Sequence, residues 1–276
     1  MTQTSPILVI GATGKAGSRI VAKLEALGHL VRGASRRSSP AFDWEDETTW
    51  APALAGAEIV FVAFVPDLAA KGAPEAIEKF TAKAAAAGVK RVVLLSGRGE
   101  DNAMRSEAII QASGLGYTIV RASWFNQNFS EGHFLPAVLE GFVSLPASDK
   151  KEPFIDVDDI ADVAVAALTD ERHLGQVYEV TGPRLLTFAE AVAEISAASG
   201  RPVTYAHIAL ADFHAALVPE VGEATADFLH DLCEEVFDGR NEHVSDGVQR
   251  ALGRAPRDFA DFCKEQAAAG AWNAAV

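Results

Sequence analysis

The residues with the plainest chemical meaning are Gly11, Gly14 and Gly17, spaced GxxGxxG directly behind the apolar run 7–10. A buried strand that enters such a turn and then a helix can hold a pyrophosphate on bare backbone N–H groups. Gly11 permits the tight turn, Gly14 removes the Cβ that would keep a phosphate away, and Gly17 lets the helix lie close to the sheet. Thr13, Lys15 and Ala16 complete the expected phosphate cradle. The spacing departs from the GxGxxG of standard dehydrogenases, and a purely structural turn is the competing reading.

The second apolar run ends at Ala34-Ser35-Arg36-Arg37. A site for NAD(H) places an acidic residue near here, on the ribose 2′-OH. This stretch has none, and guanidinium forks suit a 2′-phosphate. NADP(H) is therefore favoured, with NAD(H) as the alternative and a solvated basic turn as the bland reading. Downstream, Asp43 beside Trp44 could accept from an adenine amino group, or form an acidic surface loop with Trp44 packed beneath it. Phe64 closes the third apolar run beside the expected ribose. Ser96 closes the fourth, at the expected nicotinamide position.

After the fifth run come Trp124, Phe125, Asn126, Gln127, Asn128 and Phe129. Rings there could sandwich a flat substrate, and amides could bind its oxygens. Phe125 and Phe129, four apart, suit core packing equally. Phe154 reads as a further wall or as a core ring. Arg98 reads as support for a developing oxyanion, or as the partner of Glu100 or Glu107. The seven histidines show no HExxH spacing, and His133 alone lies near the expected pocket loop. Asp156, Asp158 and Asp159 precede an apolar helical pattern, so a helix start explains the last two and no metal site is expected. Ser96 and Ser123 have no His/Asp set for nucleophilic hydrolysis.

These groups need a scaffold that brings several strand ends to one edge. Apolar runs at 7–10, 30–34, 59–64, 91–96 and 117–121 alternate with helical patterns at 15–27, 48–54, 74–87 and 102–113. Short, continuously apolar strands belong in a parallel sheet buried on both faces. Right-handed crossovers then predict an α/β, Rossmann-type doubly wound parallel sheet. Beyond residue 123 the rhythm breaks. Residues 1–150 are expected to form the nucleotide-binding domain, with 156–182 returning to it. Residues 183–276 are expected to form a smaller, mainly helical α/β substrate lobe. Thr187 and Glu190 match a helix-starting capping box.

Composition narrows the partners. The 276 residues carry a net charge of −14, and basic residues cluster in nothing longer than a pair. Such a surface repels phosphate backbones, so nucleic acid is not an expected partner. The longest apolar run, 59–65, is far short of a membrane span, and no membrane partner is expected. The two cysteines, Cys233 and Cys263, have no ligand-spaced neighbours and read as buried thiols, compatible with a cytoplasmic protein. The helices 74–87 and 102–113 could form a homodimer face or serve the core.

The stretches GATGKAG, the Ser-Arg-Arg turn, Asp43-Trp44, Leu94-Leu95-Ser96-Gly97 and Arg121-Ala122-Ser123-Trp124-Phe125-Asn126-Gln127-Asn128 together resemble the NmrA-like group of atypical short-chain dehydrogenases. The segments 153–161 and 181–188 are similar to that family's later strand-to-helix steps. The resemblance implies a dinucleotide-binding fold and a role for Asn128 in the substrate site. It also implies one of several trades: quinone reductase, reductase of natural products, or redox-sensing regulator without turnover. Ordinary short-chain dehydrogenases use a Tyr-x-x-x-Lys pair to protonate a carbonyl. Aligned on Glu107, those positions hold Gly99 and Ala103. A ketone becomes a strongly basic alkoxide and needs a positioned acid. A quinone becomes a delocalised phenolate-type anion, with a phenol-like pKa of about 10, and can take its proton from water. The expectation is therefore an NAD(P)H-dependent reductase of a quinone or conjugated aromatic carbonyl, with a natural-product role fitting the aromatic pocket. Ser96 and Asn128 are the catalytic candidates, and Arg98, Trp124, Phe125, Asn128 and Phe154 the substrate-binding ones. The alternative is an NADP(H)-sensing regulator that acts through a protein partner.

Overall fold

The computed structural model describes residues 5–273. In chain order the elements are β1 (Ile7–Ile10), α1 (Lys15–Ala26), β2 (Val31–Ala34), α2 (Trp50–Leu54), β3 (Ile59–Val62), α3 (Ala73–Ala86), β4 (Arg91–Gly97), α4 (Asp101–Ala112) and β5 (Gly116–Ala122). There follow α5 (Leu135–Glu140), β6 (Phe142–Leu145), β7 (Lys151–Glu152), α6 (Val157–Thr169), β8 (Gln176–Val180), β9 (Leu186–Thr187), α7 (Phe188–Ser199) and β10 (Thr204–His207). The last elements are α8 (Leu210–Val221), α9 (Glu223–Val236), α10 (Gly247–Leu252) and α11 (Phe259–Ala268).

Internal contacts divide the chain into two units. The first holds residues up to 122 together with 157–180 and 246–254; the second holds 123–156, 181–245 and the residues from 255 on. Residues 123–150, expected with the nucleotide-binding domain, group with the second unit. Residues 246–254, expected with the lobe, group with the first. The reason is local: α10 packs on β8 and α6, and a Cβ on Gly247 would strike the backbone of Glu179.

In the first unit a six-stranded sheet runs β2-β1-β3-β4-β5-β8, and every neighbouring pair is parallel. Ile7 lies between Val31 and Ile59, and Arg91 between Ile59 and Gly116, so the strands start nearly level. Leu8, Ile10, Val60, Val62, Val92 and Leu94 face one core with Trp50, Ile77, Phe80 and Ile110 of α2, α3 and α4. The alternate residues Ile7, Val9, Phe61 and Val93 are buried as well, because side chains of successive strand residues point to opposite faces. That is the doubly wound arrangement, with burial on both sides of the sheet. α1 packs along α6, where Lys23 pairs with Asp158 at 3.1 Å and Asp162 at 2.9 Å.

The second unit has its own core of Phe129, Phe154, Phe188, Phe259, Phe262 and Trp272, with α7 and α11 packed across it. β6 and β10 pair in parallel, and β7 and β9 pair antiparallel. In the segment 153–161, similar to a strand-to-helix step of the family, the strand part amounts to a single bridge between Phe125 and Ile155. Thr187 caps α7, and Glu190 completes the reciprocal capping box. Among the described residues no helix is long and apolar enough to cross a membrane.

α1 lies close over the turn after β1. A Cβ on Gly17 would overlap the Gly11 carbonyl, and Gly11 itself holds φ at 81°. Gly17→Ala should cost about 1–3 kcal/mol, the usual range for forcing atoms into filled space. The reading is a lower urea midpoint at unchanged slope; an unchanged midpoint would show that α1 can back away without penalty.

Candidate functional site

The first unit supplies an anion cradle. The amides of Gly11 and Ala12 both donate to the Ala34 carbonyl, at 3.0 and 3.2 Å, and Ala63 donates to the Ile10 carbonyl at 3.3 Å. The turn is thereby pinned to the ends of β2 and β3. Gly14, extended at φ −80° and ψ 171°, caps α1 without any side-chain bond. The backbone amides of Thr13 and Ala16 find no acceptor among the described residues. Open donors at the positive end of a twelve-residue helix suit a phosphate.

Beyond β2, Ser35 and Ser38 brace the next turn: the Ser35 amide donates to Ser38 Oγ at 2.9 Å, and the Arg37 amide to Ser35 Oγ at 3.3 Å. Arg36 and Arg37 are exposed, and neither guanidinium has a partner among the described residues. Asp43 accepts from the Glu45 amide at 3.1 Å, and its carbonyl accepts from Trp50 Nε1 at 2.6 Å, so its loop is held from within. Trp44 is half-buried in an aromatic cluster. Its ring lies 4.6 Å from Phe64 and 4.9 Å from Phe42, and Nε1 donates to the Ala63 carbonyl at 3.3 Å. Trp44 is therefore packed under the loop, as the plainer of its two sequence readings has it, while keeping part of its surface open.

Ser96 and Arg98 have other occupations than those expected. Ser96 is buried and donates to Glu107 Oε1 at 2.7 Å. Glu107 also receives Arg121 Nε at 2.9 Å, and Arg121 reaches Glu179 at 3.3 Å. Arg98, 4% exposed, pairs with Glu179 at 2.9 Å. The sequence offered Glu100 or Glu107 as its ion partner; the structure pairs it with Glu179 on β8, two strands away from β4. An enclosed, ion-paired guanidinium cannot meet a substrate oxyanion, so the oxyanion role falls. Burial pushes the Glu179 carboxyl up, but Arg98 and Arg121 outweigh it and hold it below its ordinary value. The hydrogen bond from Arg121 to Glu107 raises the arginine's own pKa.

Sequence reasoning missed a second pair of acids at this edge. Asp67 follows β3 and Glu100 precedes α4; their carboxyls share a hydrogen bond. The Glu100 carboxylate lies over the bare Cα of Gly97, where a Cβ would collide with it. Enclosure pushes the Asp67 carboxyl above its ordinary value, against opposing bonds from Ala69 and Glu100. The available signal was positional: acids just past Pro66 and Gly99, at the ends of two adjacent parallel strands.

The second unit contains an apolar cavity of about 290 Å³, near the lower end of ligand cavities (about 300–1,000 Å³). Trp124 lines it, stacked on Phe134 at 5.9 Å and 8° and on Phe237 at 5.4 Å. Residues 133–145 and the α8–α9 hairpin supply the other walls, Cys233 among them. Burial pushes the Cys233 thiol up to about 12, so it is a packing group and no thiolate nucleophile. Of the expected substrate residues in this unit, only Trp124 reaches the cavity. Phe125 is half-buried beside its bridge to Ile155. Asn128 is 8% exposed, and its carbonyl accepts from the Phe134 amide at 3.1 Å. Phe154 is a core ring, 5.0 Å from Phe188 and 5.7 Å from Phe129, so the wall reading gives way to core packing. Asn126 is fully buried with neither amide atom partnered. Among the described residues no three His, Cys, Asp or Glu side chains converge as a metal site.

Comparison with known proteins agrees with this layout. The sequence profile of the NmrA-like family matches residues 3–262. The chain is 34% identical to the NAD(P)H azoreductase of Xenophilus azovorans, covering 95% of this chain and 98% of that one. It is 33% identical to the uncharacterized oxidoreductase YesF of Bacillus subtilis, covering 97% of each chain. The solved NADPH-dependent quinone oxidoreductase QOR2 of Escherichia coli superposes with a TM-score of 0.76 at 25% identity, covering 94% of this chain and 98% of that one.

Two measurements check these placements. Phe154→Ala should cost about 3–5 kcal/mol in unfolding free energy, as for a core phenylalanine; a loss below 1 kcal/mol would return it to a cavity wall. For Asp67 the folded pKa lies above the unfolded 3.8. Its favourable contribution is thus complete below that value and is lost as pH rises through the folded pKa. Urea unfolding across that range should show wild type losing stability relative to Asp67→Asn as pH rises; parallel curves would refute the raised pKa.

Proposed function

The chain belongs to the NmrA-like family, and from that premise we propose that it is an NAD(P)H-dependent reductase that uses NADPH to reduce a quinone or similar conjugated aromatic carbonyl. The observation that carries the cofactor half is the pairing of an open helix N-terminus with two arginines that no carboxylate among the described residues engages. The cradle fits a pyrophosphate: bare backbone at Gly14, donors on Thr13 and Ala16, and no side chain capping the helix. Arg36 and Arg37 would hold the 2′-phosphate in their guanidinium forks. When bound, the cofactor would supply a hydride, which is two electrons and one proton, to the acceptor.

The acceptor half rests on what the side chains can do with protons. Gly99 and Ala103 occupy the positions of the usual tyrosine and lysine, and Ala103 is fully buried in α4. The three tyrosines offer no substitute. Tyr117 starts β5, at the opposite edge of the sheet from the cradle. The Tyr178 hydroxyl is 2.8 Å from His173 Nδ1, and the Tyr205 hydroxyl donates to the Leu145 carbonyl at 3.2 Å. Ser96 is held by Glu107 and positions the end of β4; it is not a proton donor to substrate in this reading. An acceptor whose reduced anion is delocalised suits these side chains, because water can protonate it after the hydride arrives. The balance is quinone, NADPH and one proton giving hydroquinone and NADP⁺. Trp124 and Phe134, stacked on each other, would form an apolar wall for the flat ring, and the azoreductase and quinone oxidoreductase relatives act within the same range of conjugated acceptors by name.

The test follows NADPH absorbance with a panel of quinones, and cofactor affinity by calorimetry. Turnover of at least one quinone is expected. Binding of NADPH with no acceptor consumed would overturn the reductase reading in favour of cofactor sensing. Arg36→Ala combined with Arg37→Ala should weaken NADPH by about ten- to a hundredfold, the effect of losing charge-assisted hydrogen bonds worth about 1.5–3 kcal/mol. NADH affinity should stay within about twofold. Equal losses for both cofactors would remove the 2′-phosphate assignment.

A further inference from the structure

The cavity beside Trp124 is apolar inside, but its charged lining is one-sided. Glu140, at the end of α5, and Glu220, in α8, are both exposed and both border it. Neither has a cationic partner among the described residues. No lysine or arginine lines the cavity; His133 is the remaining titratable polar group there, apart from the buried Cys233 thiol. We propose that Glu140 and Glu220 act as a charge filter, so that the cavity takes neutral or cationic aromatic acceptors of one or two rings and disfavours anionic ones. This rests on the reductase reading above and adds the charge and size of the substrate.

The physical argument has two parts. A volume of about 290 Å³ lies just under the usual ligand range of about 300–1,000 Å³, which suits one or two fused rings against the apolar walls that Trp124, Phe134, Leu145 and Phe213 supply. The electrostatic part follows from the surroundings. Two unpaired carboxylates beside an apolar hollow act through a medium less polarisable than water, so their field is screened less than on an open surface. The chain's net charge of −14 adds to the same sign. A sulfonate or carboxylate on the substrate would have to approach both glutamates with no basic side chain to offset them. A quaternary ammonium would meet two carboxylates of opposite charge at the same place.

Three naphthoquinones that differ in one substituent make the test: unsubstituted, sulfonated and trimethylammonium-bearing. At low ionic strength kcat/KM should fall from the cationic to the neutral to the sulfonated compound, with the sulfonate disfavoured by about three- to tenfold. The penalty should shrink in high salt. It should also shrink in Glu140→Gln combined with Glu220→Gln, read as the ratio of sulfonated to neutral kcat/KM. Equal kcat/KM for the neutral and sulfonated compounds, or a ratio unmoved in the double variant, would overturn the filter. Binding to the protein without cofactor, followed by quenching of tryptophan fluorescence with Trp124→Phe as control, keeps the two proposals apart. If no quinone is turned over but the cavity still binds the cation above the sulfonate, the reductase reading fails and the filter stands. If quinones turn over and bind without regard to charge, the filter fails and the reductase reading stands.

Discussion

The sheet edge is held by a chain of charges: Ser96 to Glu107, Glu107 to Arg121, Arg121 to Glu179 and Glu179 to Arg98. These residues belong to β4, α4, β5, β8 and the turn after β4, so the network ties three parallel strands at their C-terminal ends. Glu107 is 3% exposed and Arg98 4%. Removing one partner from such a buried pair costs about 3–5 kcal/mol, because the other charge is left stranded. The same positions in a doubly wound fold are where ligands sit. The network therefore decides which polar groups remain available for chemistry. It engages Ser96 and Arg98, the two residues whose types alone suggested a catalytic serine and an oxyanion arginine.

What is left at the edge is backbone and acid. The helix N-terminus offers donors, and the Asp67–Glu100 pair carries a carboxyl whose pKa is raised by enclosure. A positive, preorganised site made of N–H groups binds an anion without needing any titratable side chain. This separates holding the cofactor from moving protons. It also explains how a chain can keep the cofactor cradle of a dehydrogenase while Gly99 and Ala103 stand at the relay positions. In the proposed site, cofactor binding would depend on the turn geometry at Gly11 and Gly17, whereas the relay depends on two side chains that can be lost without disturbing that geometry.

Features set by local chemistry were legible in the sequence. Continuous apolar runs marked the parallel strands, Thr187 and Glu190 marked the start of α7, and the glycine turn marked the tight turn that brings α1 against β1. Features set by distant partners were not. Arg98 could pair with several acids, and only the placement of β8 beside β5 selects Glu179, 81 residues away. Phe154 has the same composition as a cavity wall or a core ring, and the choice is made by Phe188 and Phe129 from other elements. Residues 246–254 carry no periodic signal that ties them to the first unit; their contacts with β8 and α6 do that. The cavity walls come from Trp124, residues 133–145, α8 and α9, segments whose meeting depends on the folded arrangement and not on any local pattern.

Charge pairing gives the most discriminating reading of both candidate regions. With 38 acidic and 24 basic residues, a basic side chain in this protein has abundant partners. Arg19, Arg91, Arg98, Arg105, Arg121, Arg172, Arg184, Arg240, Arg250 and Arg254 all meet carboxylates. Arg184 is clamped by Glu194 and Asp258 at 2.7 and 2.8 Å. Arg32 and Arg201 donate to main-chain carbonyls instead. Against that background, two adjacent arginines whose guanidiniums have no partner among the described residues are informative, because exposed ion pairs form readily wherever side chains can reach one another. Their turn is braced by Ser35 and Ser38, which hold the backbone while leaving the guanidiniums to solvent. The inverse holds for Glu140 and Glu220: in an acidic chain an unpaired glutamate is ordinary, and it gains meaning only from the aromatic hollow beside it. Scarcity makes the arginines a signal by themselves, whereas the glutamates signal through position.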